Sequence, residues 1–238
     1  MARWYNGAMF PDLLRLLGWP PVCAVCGGEL GPVGAGPRLC GRCLADLPWL
    51  PRGGCPRCGG RSPGPCRDCP SFEVDWSGAR ALLEYRGGAR RLVLGLKAGW
   101  GEDLWPWLAG RALGTGIDGE VDAVVPVPPH PLRRWTGRSD AALSFARALA
   151  RGLGRPLHRD LLVRRWRGGR QRGRGAAARR ALASAMYRRA RGRLAPGARI
   201  LLVDDVLTTG ATAQACAALL QREDWQVQLV VLCRDHVR

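Results

Sequence analysis

The 238-residue chain is 47% hydrophobic and carries a formal net charge of +18, which gives it room for one ordinary domain plus a small one and the field of a protein that meets polyanions. No apolar run approaches the ~20 residues of a membrane-spanning helix. The N-terminus is interrupted by Pro11, Asp12 and Arg15 and lacks the pattern of a secretion signal, so a cytoplasmic protein without a membrane span is expected.

Residues 1–20 carry Phe10, Leu13, Leu14, Leu16 and Leu17 at near-helical spacing, which predicts a short amphipathic segment over about 10–18, ended by Gly18 and the Pro20-Pro21 pair. Residues 21–70 hold four C-x-x-C pairs: Cys23/Cys26, Cys40/Cys43, Cys55/Cys58 and Cys66/Cys69. Each pair can turn two sulfurs toward one tetrahedral ion, so eight cysteines make two four-cysteine centres, and zinc is the expected metal, in a structural role. Disulfides are disfavoured without a secretion signal, and a redox dithiol would need one pair rather than four. Consecutive use is favoured, Cys23, Cys26, Cys40, Cys43 and then Cys55, Cys58, Cys66, Cys69. An interleaved arrangement stays open. With so small a core, the metal would supply most of the folding energy of this double ribbon.

The main domain is expected over 79–238. Strands are predicted at 79–85, 121–127, 160–163, 199–203 and 226–233, and helices at 91–97, 104–113, 138–153, 176–186 and 213–222. Strands alternating with helices argue an α/β fold with a parallel sheet, five-stranded in type, and right-handed crossovers. Ser139 or Asp140 would cap the long helix. Cys216 and Cys233 read as small core residues. Arginine supplies 36 of the 37 basic residues, Lys97 being the only lysine. The excess is uneven: residues 164–193 hold 12 Arg and no acid. That run could follow the phosphates of single-stranded DNA, with Trp166 and Tyr187 as stacking faces, or be a solvated surface set by composition.

Ile200 to Leu220, ILLVDDVLTTGATAQACAALL, carries the clearest chemistry. An apolar strand, Ile200 to Val203, runs into Asp204 and Asp205, then Thr208, Thr209, Gly210, Ala211 and Thr212, then a helical run. Ligands of open α/β sheets bind where strands end and helices begin, and a helix N-terminus presents N–H groups to phosphate. Two carboxylates about one sugar ring away can accept hydrogen bonds from ribose hydroxyls. The stretch therefore reads as a sugar-phosphate cradle, the plainer alternative being a strand–turn–helix with a threonine cap.

The stretch resembles the signature of type I phosphoribosyltransferases. That resemblance implies that Asp204 and Asp205 hold the ribose hydroxyls of phosphoribosyl pyrophosphate (PRPP), that Thr208 to Thr212 hold its 5′-phosphate, and that magnesium accompanies the ligand. The whole chain resembles the ComF family, in which a zinc-ribbon region precedes a phosphoribosyltransferase-type domain. The resemblance rests on Leu16-Leu17-Gly18-Trp19-Pro20-Pro21-Val22-Cys23-Ala24-Val25-Cys26, on Leu96-Lys97-Ala98-Gly99, on Val125-Pro126-Val127-Pro128-Pro129-His130-Pro131 and on the cradle. It implies a link to natural competence and DNA uptake or to nucleotide metabolism, with single-stranded DNA or a competence-machinery protein as partner, the alternative being a non-catalytic module that uses the zinc ribbon and the Arg-rich loop to handle single-stranded DNA or a partner. It also places a mobile loop at 164–175, with Gln171, Gly173 and Arg179 in its pattern, and makes Lys97 and His130 candidates for phosphate contact. Gly137-Arg138-Ser139, Arg174 and Leu182 depart from the family pattern, and no catalytic residue is assigned.

Overall fold

The computed structural model describes residues 21–30, 37–63, 66, 69, 76–117, 120–129, 139–165, 185–190 and 192–235. The amphipathic segment expected at 10–18, His130, the Arg-rich residues 166–184 and most of the helix expected at 176–186 lie outside them.

The described elements run in chain order as α1 (Gly41–Ala45), β1 (Gly78–Glu84), α2 (Gly87–Lys97), α3 (Trp105–Leu113), β2 (Ala123–Pro126), α4 (Ala141–Leu153), β3 (Leu162–Arg164), β4 (Tyr187–Arg189), β5 (Arg199–Leu207), α5 (Ala211–Gln221) and β6 (Gln226–Arg234). A four-stranded sheet has the order β1-β6-β5-β2, and each neighbouring pair is parallel. Its strands are apolar on both faces, the composition that a parallel sheet covered by helices requires. A single parallel bridge from Leu157 to Val124 extends the sheet by one position beyond β2, through the Val124 N–H to Pro156 and the His158 N–H to Val124.

The strand expected at 160–163 is not part of this sheet. β3 starts at Leu162 and pairs antiparallel with β4, a strand the sequence pattern did not reveal. Three-residue strands rich in arginine carry too little apolar periodicity to be read, and what holds them is burial of Leu161, Leu162 and Tyr187 against α5 residues such as Ala213, Cys216 and Ala217. Other boundaries shift for local reasons. Gly87 and Gly88 form the first turn of α2 rather than a turn before it, because Ala89 joins Leu92, Val93 and Leu96 on the buried face. Of the two caps proposed for α4, Asp140 is used: its Oδ1 accepts from the Leu143 N–H at 3.1 Å.

The core has two halves, one on each face of the sheet. Leu92, Leu96, Leu108, Phe145 and Leu149 of α2–α4 pack on Val124, Leu201, Val203 and Val230. On the opposite face Ala213, Cys216 and Leu220 of α5 pack with Trp225 on Val125, Ile200, Leu202 and Leu229. The expected core roles of Cys216 and Cys233 hold, both being fully buried.

The cysteine segment straddles the β1 edge. Residues 48–50 run antiparallel beside β1, with Leu50 donating to Leu82 and Glu84 donating to Pro48; an exposed edge is thereby paired. Before this crossing, Cys23, Val25, Leu39 and Leu47 join the α2–α4 face. After it, Leu50, Cys55, Cys58 and Cys69 join the α5 face. The loop that follows is pressed hard on β1: Ala79 donates to Pro56, and a Cβ on Gly59, whose φ is +68°, would stand 2.5 Å from the Ala81 nitrogen. Only glycine fits that position.

Candidate sugar-phosphate site and cysteine centres

β5 does not end at Val203. β6 runs alongside to Arg234, pairing Asp204 with Val231, Val206 with Cys233 and Leu207 with Arg234, so both acids are strand residues and the turn comes after Leu207. Strand alternation then sends the two carboxylates to opposite faces. Asp205 Oδ2 meets Lys97 Nζ, at the end of α2, at 2.9 Å, with both side chains about one-fifth exposed or less. The sole lysine of the chain thus reaches the candidate site. Asp204 faces the other half of the core, near Tyr187 and Cys216, and its Oδ1 accepts from the Asp205 N–H at 2.8 Å. Burial, and then the neighbouring charge of Asp205, push the Asp204 carboxyl up to about 8, against the opposing pull of the Asp205 N–H and Lys97. The end of β2 lies beside it: Val127 donates to the Val203 carbonyl at 2.8 Å, and Pro128-Pro129 then carries the chain away from the sheet.

The turn carries the other expected residues. Thr208 is exposed and Thr209 half-buried. Gly210 takes φ +74°, the left-handed region, and caps α5, which starts at Ala211, two residues earlier than the sequence pattern suggests. Ala211 and Thr212 therefore lie in the first helical turn, where N–H groups lack intrahelical partners. Thr212 lies near the phenol of Tyr187, which burial pushes up to about 12. The Arg164 guanidinium stands 5.6 Å from the Tyr187 ring centroid. The structure thus gathers Asp204, Asp205 and 208–212 at the carboxyl edge of the sheet and adds Lys97 and Tyr187.

Arg234, which sequence reasoning missed, lies beneath the same turn. It is 2% exposed, and its Nη1 donates to the carbonyls of Leu207 at 2.9 Å and Thr208 at 2.7 Å. The available signal was one arginine ending the apolar run Leu229 to Cys233.

The eight N-terminal cysteines form two groups, Cys23/Cys26/Cys40/Cys43 and Cys55/Cys58/Cys66/Cys69, each with all four sulfurs within 4.8 Å of one another. This is the consecutive grouping, not the interleaved one. Sulfurs held ~2.3 Å from a tetrahedral zinc ion stand ~3.8 Å apart. The Cys26–Cys40 distance is 3.9 Å, Cys55–Cys69 is 3.7 Å and Cys58–Cys66 is 3.8 Å. The donor set fits zinc in both chemistry and spacing, and each group could hold one ion. Gly27 and Gly59, directly after Cys26 and Cys58, have φ of +72° and +68°, the backbone reversal that brings N–H groups round toward sulfur. Burial raises the Cys23 thiol, but hydrogen bonds from the backbone of Cys40, Cys26 and Val25 outweigh it and bring it down to about 6, whereas burial pushes the Cys43, Cys58 and Cys69 thiols up.

Residues 139–238 match the family model described as a phosphoribosyl transferase domain. Thirty-six residues, 15% of this chain, are 58% identical to adenine phosphoribosyltransferases of Clavibacter michiganensis subsp. michiganensis and Clavibacter sepedonicus, of which they cover 21% and 19%. The matched stretch thus spans about a fifth of the length of those relatives. Among solved structures, adenine phosphoribosyltransferases of Saccharomyces cerevisiae and Leishmania tarentolae align at 15% identity and TM-score 0.34, covering 60% and 56% of this chain and 68% and 69% of theirs. Among the described residues no helix is long and apolar enough to cross a membrane. The chain carries a phosphoribosyltransferase-like domain in its C-terminal part, preceded by two four-cysteine groups that could each bind zinc.

Proposed function

We propose that this chain binds PRPP, or a closely related sugar phosphate, at the carboxyl edge of β5. The observation that carries the reading is the joint placement of two adjacent carboxylates and, three residues later, a threonine–glycine turn that opens α5, within residues that match a phosphoribosyl transferase domain. Asp204 and Asp205 would accept from the ribose hydroxyls. The N–H groups of 208–212 and the Thr hydroxyls would receive the 5′-phosphate. Burial, and then the charge of Asp205, push the Asp204 carboxyl up, and a ligand that arrives with magnesium would bring positive charge to the two adjacent acids. That ion neutralises pyrophosphate charge when bound. Lys97 would orient Asp205 through their 2.9 Å ion pair. A transferase of this kind works by positioning and charge stabilisation, which are the two things these residues supply.

Calorimetric titration with PRPP and magnesium is the direct test. Saturable heat and a ligand-dependent rise in melting temperature are expected. The absence of both at millimolar ligand would remove the reading.

We infer further that the chain is a cytoplasmic ComF-type protein whose competence role brings it to single-stranded DNA or to a competence-machinery protein, the cysteine region being a double zinc ribbon over 21–70 and the transferase-like domain running over 79–238. The support is the resemblance, the two cysteine groups, and the 12 arginines without an acid over residues 164–193. Affinity for single-stranded DNA is expected to fall steeply with salt, log K dropping by about 0.7 per log unit of salt for each phosphate contacted. Neutralising Arg170, Arg172 and Arg174 together should flatten that slope. A slope near zero in the wild type would sink the DNA reading.

A further inference from the structure

The first cysteine group sits on the end of the helix that carries Lys97. α2 closes on itself there: the Gly99 N–H donates to the Leu96 carbonyl at 3.1 Å, and the Trp100 N–H donates back to Gly95 at 2.9 Å. This is a Schellman closure, with Gly99 in the left-handed region at φ +86°. Gly101 follows at φ +72° and starts the 3-10 turn Glu102–Leu104. Lys97 is the last residue of α2, and its ammonium meets Asp205 at 2.9 Å. The place of that ammonium therefore depends on a helix end built with two glycines, which by themselves restrict the backbone little.

The cysteine segment restrains this end from outside. Ala24, inside the Cys23–Cys26 pair, fills the notch between Gly95 and Gly101. Its carbonyl oxygen stands 3.7 Å from where a Cβ on Gly95 would be, and its own Cβ stands 3.4 Å from where one on Gly101 would be. Arg38, two residues before Cys40, ties the same segment to the turn. Its Nη1 meets Asp103 Oδ1 at 3.3 Å, its Nη2 donates to the Val22 carbonyl at 3.5 Å, and its own carbonyl accepts from the Ala24 N–H at 2.9 Å. At the other end of α2, a Cβ on Gly88 would meet Val25 and Leu47 at 3.5 Å. Both ends of α2 thus rest on the stretch that holds Cys23, Cys26, Cys40 and Cys43, whose four sulfurs could share one ion. A closed four-thiolate shell fixes the loops that supply it. The second group joins the α5 face instead.

We propose that the Cys23/Cys26/Cys40/Cys43 centre positions Lys97, with Ala24 and Arg38 as the positioning residues. Gathered on one metal ion, the loop around Ala24 seats the end of α2 so that Lys97 pairs with Asp205. The consequence for ligand affinity rests on the PRPP reading above; the placement of Lys97 does not.

The test uses the chain's only lysine as its own reporter. Full-length protein, with its metal as purified, receives a short pulse of an acetylating ester, and acetylation of Lys97 is read by peptide mass. Wild type is compared with Arg38→Met, Arg38→Lys, Cys26→Ser, which opens the first metal shell, and Cys66→Ser, which opens the second. In wild type the ion pair and partial burial, 21% exposure, shield the amine. Cys26→Ser and Arg38→Met should speed acetylation several-fold and speed hydrogen exchange in the peptide covering 96–104. Arg38→Lys should fall between, and it stands in for the methionine variant if that one does not fold. Cys66→Ser, well below its melting temperature, should leave the Lys97 rate near that of wild type. A Lys97 rate unchanged in Cys26→Ser and both Arg38 variants would overturn the proposal, as would equal acceleration by Cys26→Ser and Cys66→Ser, the mark of general loosening. Titration with magnesium–PRPP should show weaker binding in Arg38→Met. A wild type that binds no PRPP while the Lys97 rates differ as expected removes the ligand reading and supports the positioning of Lys97.

Discussion

Replacing Asp204 with asparagine is expected to stabilise the protein while weakening its ligand binding. The Asp204 carboxyl moves from 3.8 to about 8 on folding, chiefly through burial and then through the charge of Asp205. The folded state therefore holds this proton more tightly than the unfolded state between roughly pH 4 and pH 8, and stability falls as pH rises across that window. The contribution is fully present below the unfolded value and is lost as pH passes the folded one. Asparagine imitates the protonated form at every pH. Melting temperature should rise by several degrees at pH 8, on the order of 5 °C for a chain of this size, with the gain shrinking toward pH 5. PRPP–magnesium affinity should drop about tenfold or more, because a charged acceptor is exchanged for a neutral one. In wild type, binding should release a proton near neutral pH, visible as buffer-dependent calorimetric heat. Melts from pH 5 to pH 9 beside the titrations decide it. A variant less stable at pH 8, or one that binds PRPP as wild type does, would contradict the account.

Metal removal should have the largest effect on stability. Purified protein is expected to contain about two zinc ions per chain. Structural zinc contributes an apparent ~10–16 kcal/mol in small zinc domains, and here the two groups are built into the two halves of the core rather than hung from it. They differ in access. Cys26 is exposed and Cys40 and Cys43 half-buried, whereas Cys55, Cys58 and Cys69 are buried. A chelator should therefore take one ion quickly and the second slowly. Cys58→Ser should lower the melting temperature by on the order of 10 °C, since it opens the metal shell and leaves a hydroxyl in an apolar wall. Cys26→Ser should cost less. Equal effects of the two substitutions, or one zinc per chain by elemental analysis, would refute this picture of two integrated centres.

Asparagine at 204 and serine at 58 probe features that were legible in different degrees. The cysteine pairs and the cradle could be read because their chemistry lies in contiguous spacing. A C-x-x-C unit brings its own two sulfurs together, and Asp204-Asp205 followed by Thr208 to Thr212 brings carboxylates and helix N–H groups into one short segment. The α/β class was legible from the alternation of long apolar strands with amphipathic helices. Arg234 was not legible, because a single arginine acting on residues distant in sequence has no local pattern, and Tyr187, read as a stacking face for bases, is instead buried in the core on the α5 side. Lys97 was legible only as a phosphate candidate; its ion pair with Asp205 spans more than a hundred residues.

By itself, the sequence determined the two metal-binding inventories, the acid–turn–helix unit and the parallel α/β alternation, since local spacing and periodicity suffice for each. The tertiary structure decided what they do to one another. Strand order β1-β6-β5-β2 sets β6 between β1 and β5, so its last residue, Arg234, pairs with Glu84 at the end of β1 and with Leu207 at the turn after β5. The length of β6 keeps Asp204 and Asp205 within the sheet, and alternation there separates them onto opposite faces, one against Lys97 and one beside Tyr187. These are long-range packing outcomes. They depend on which apolar faces find each other, and no window of sequence contains both partners.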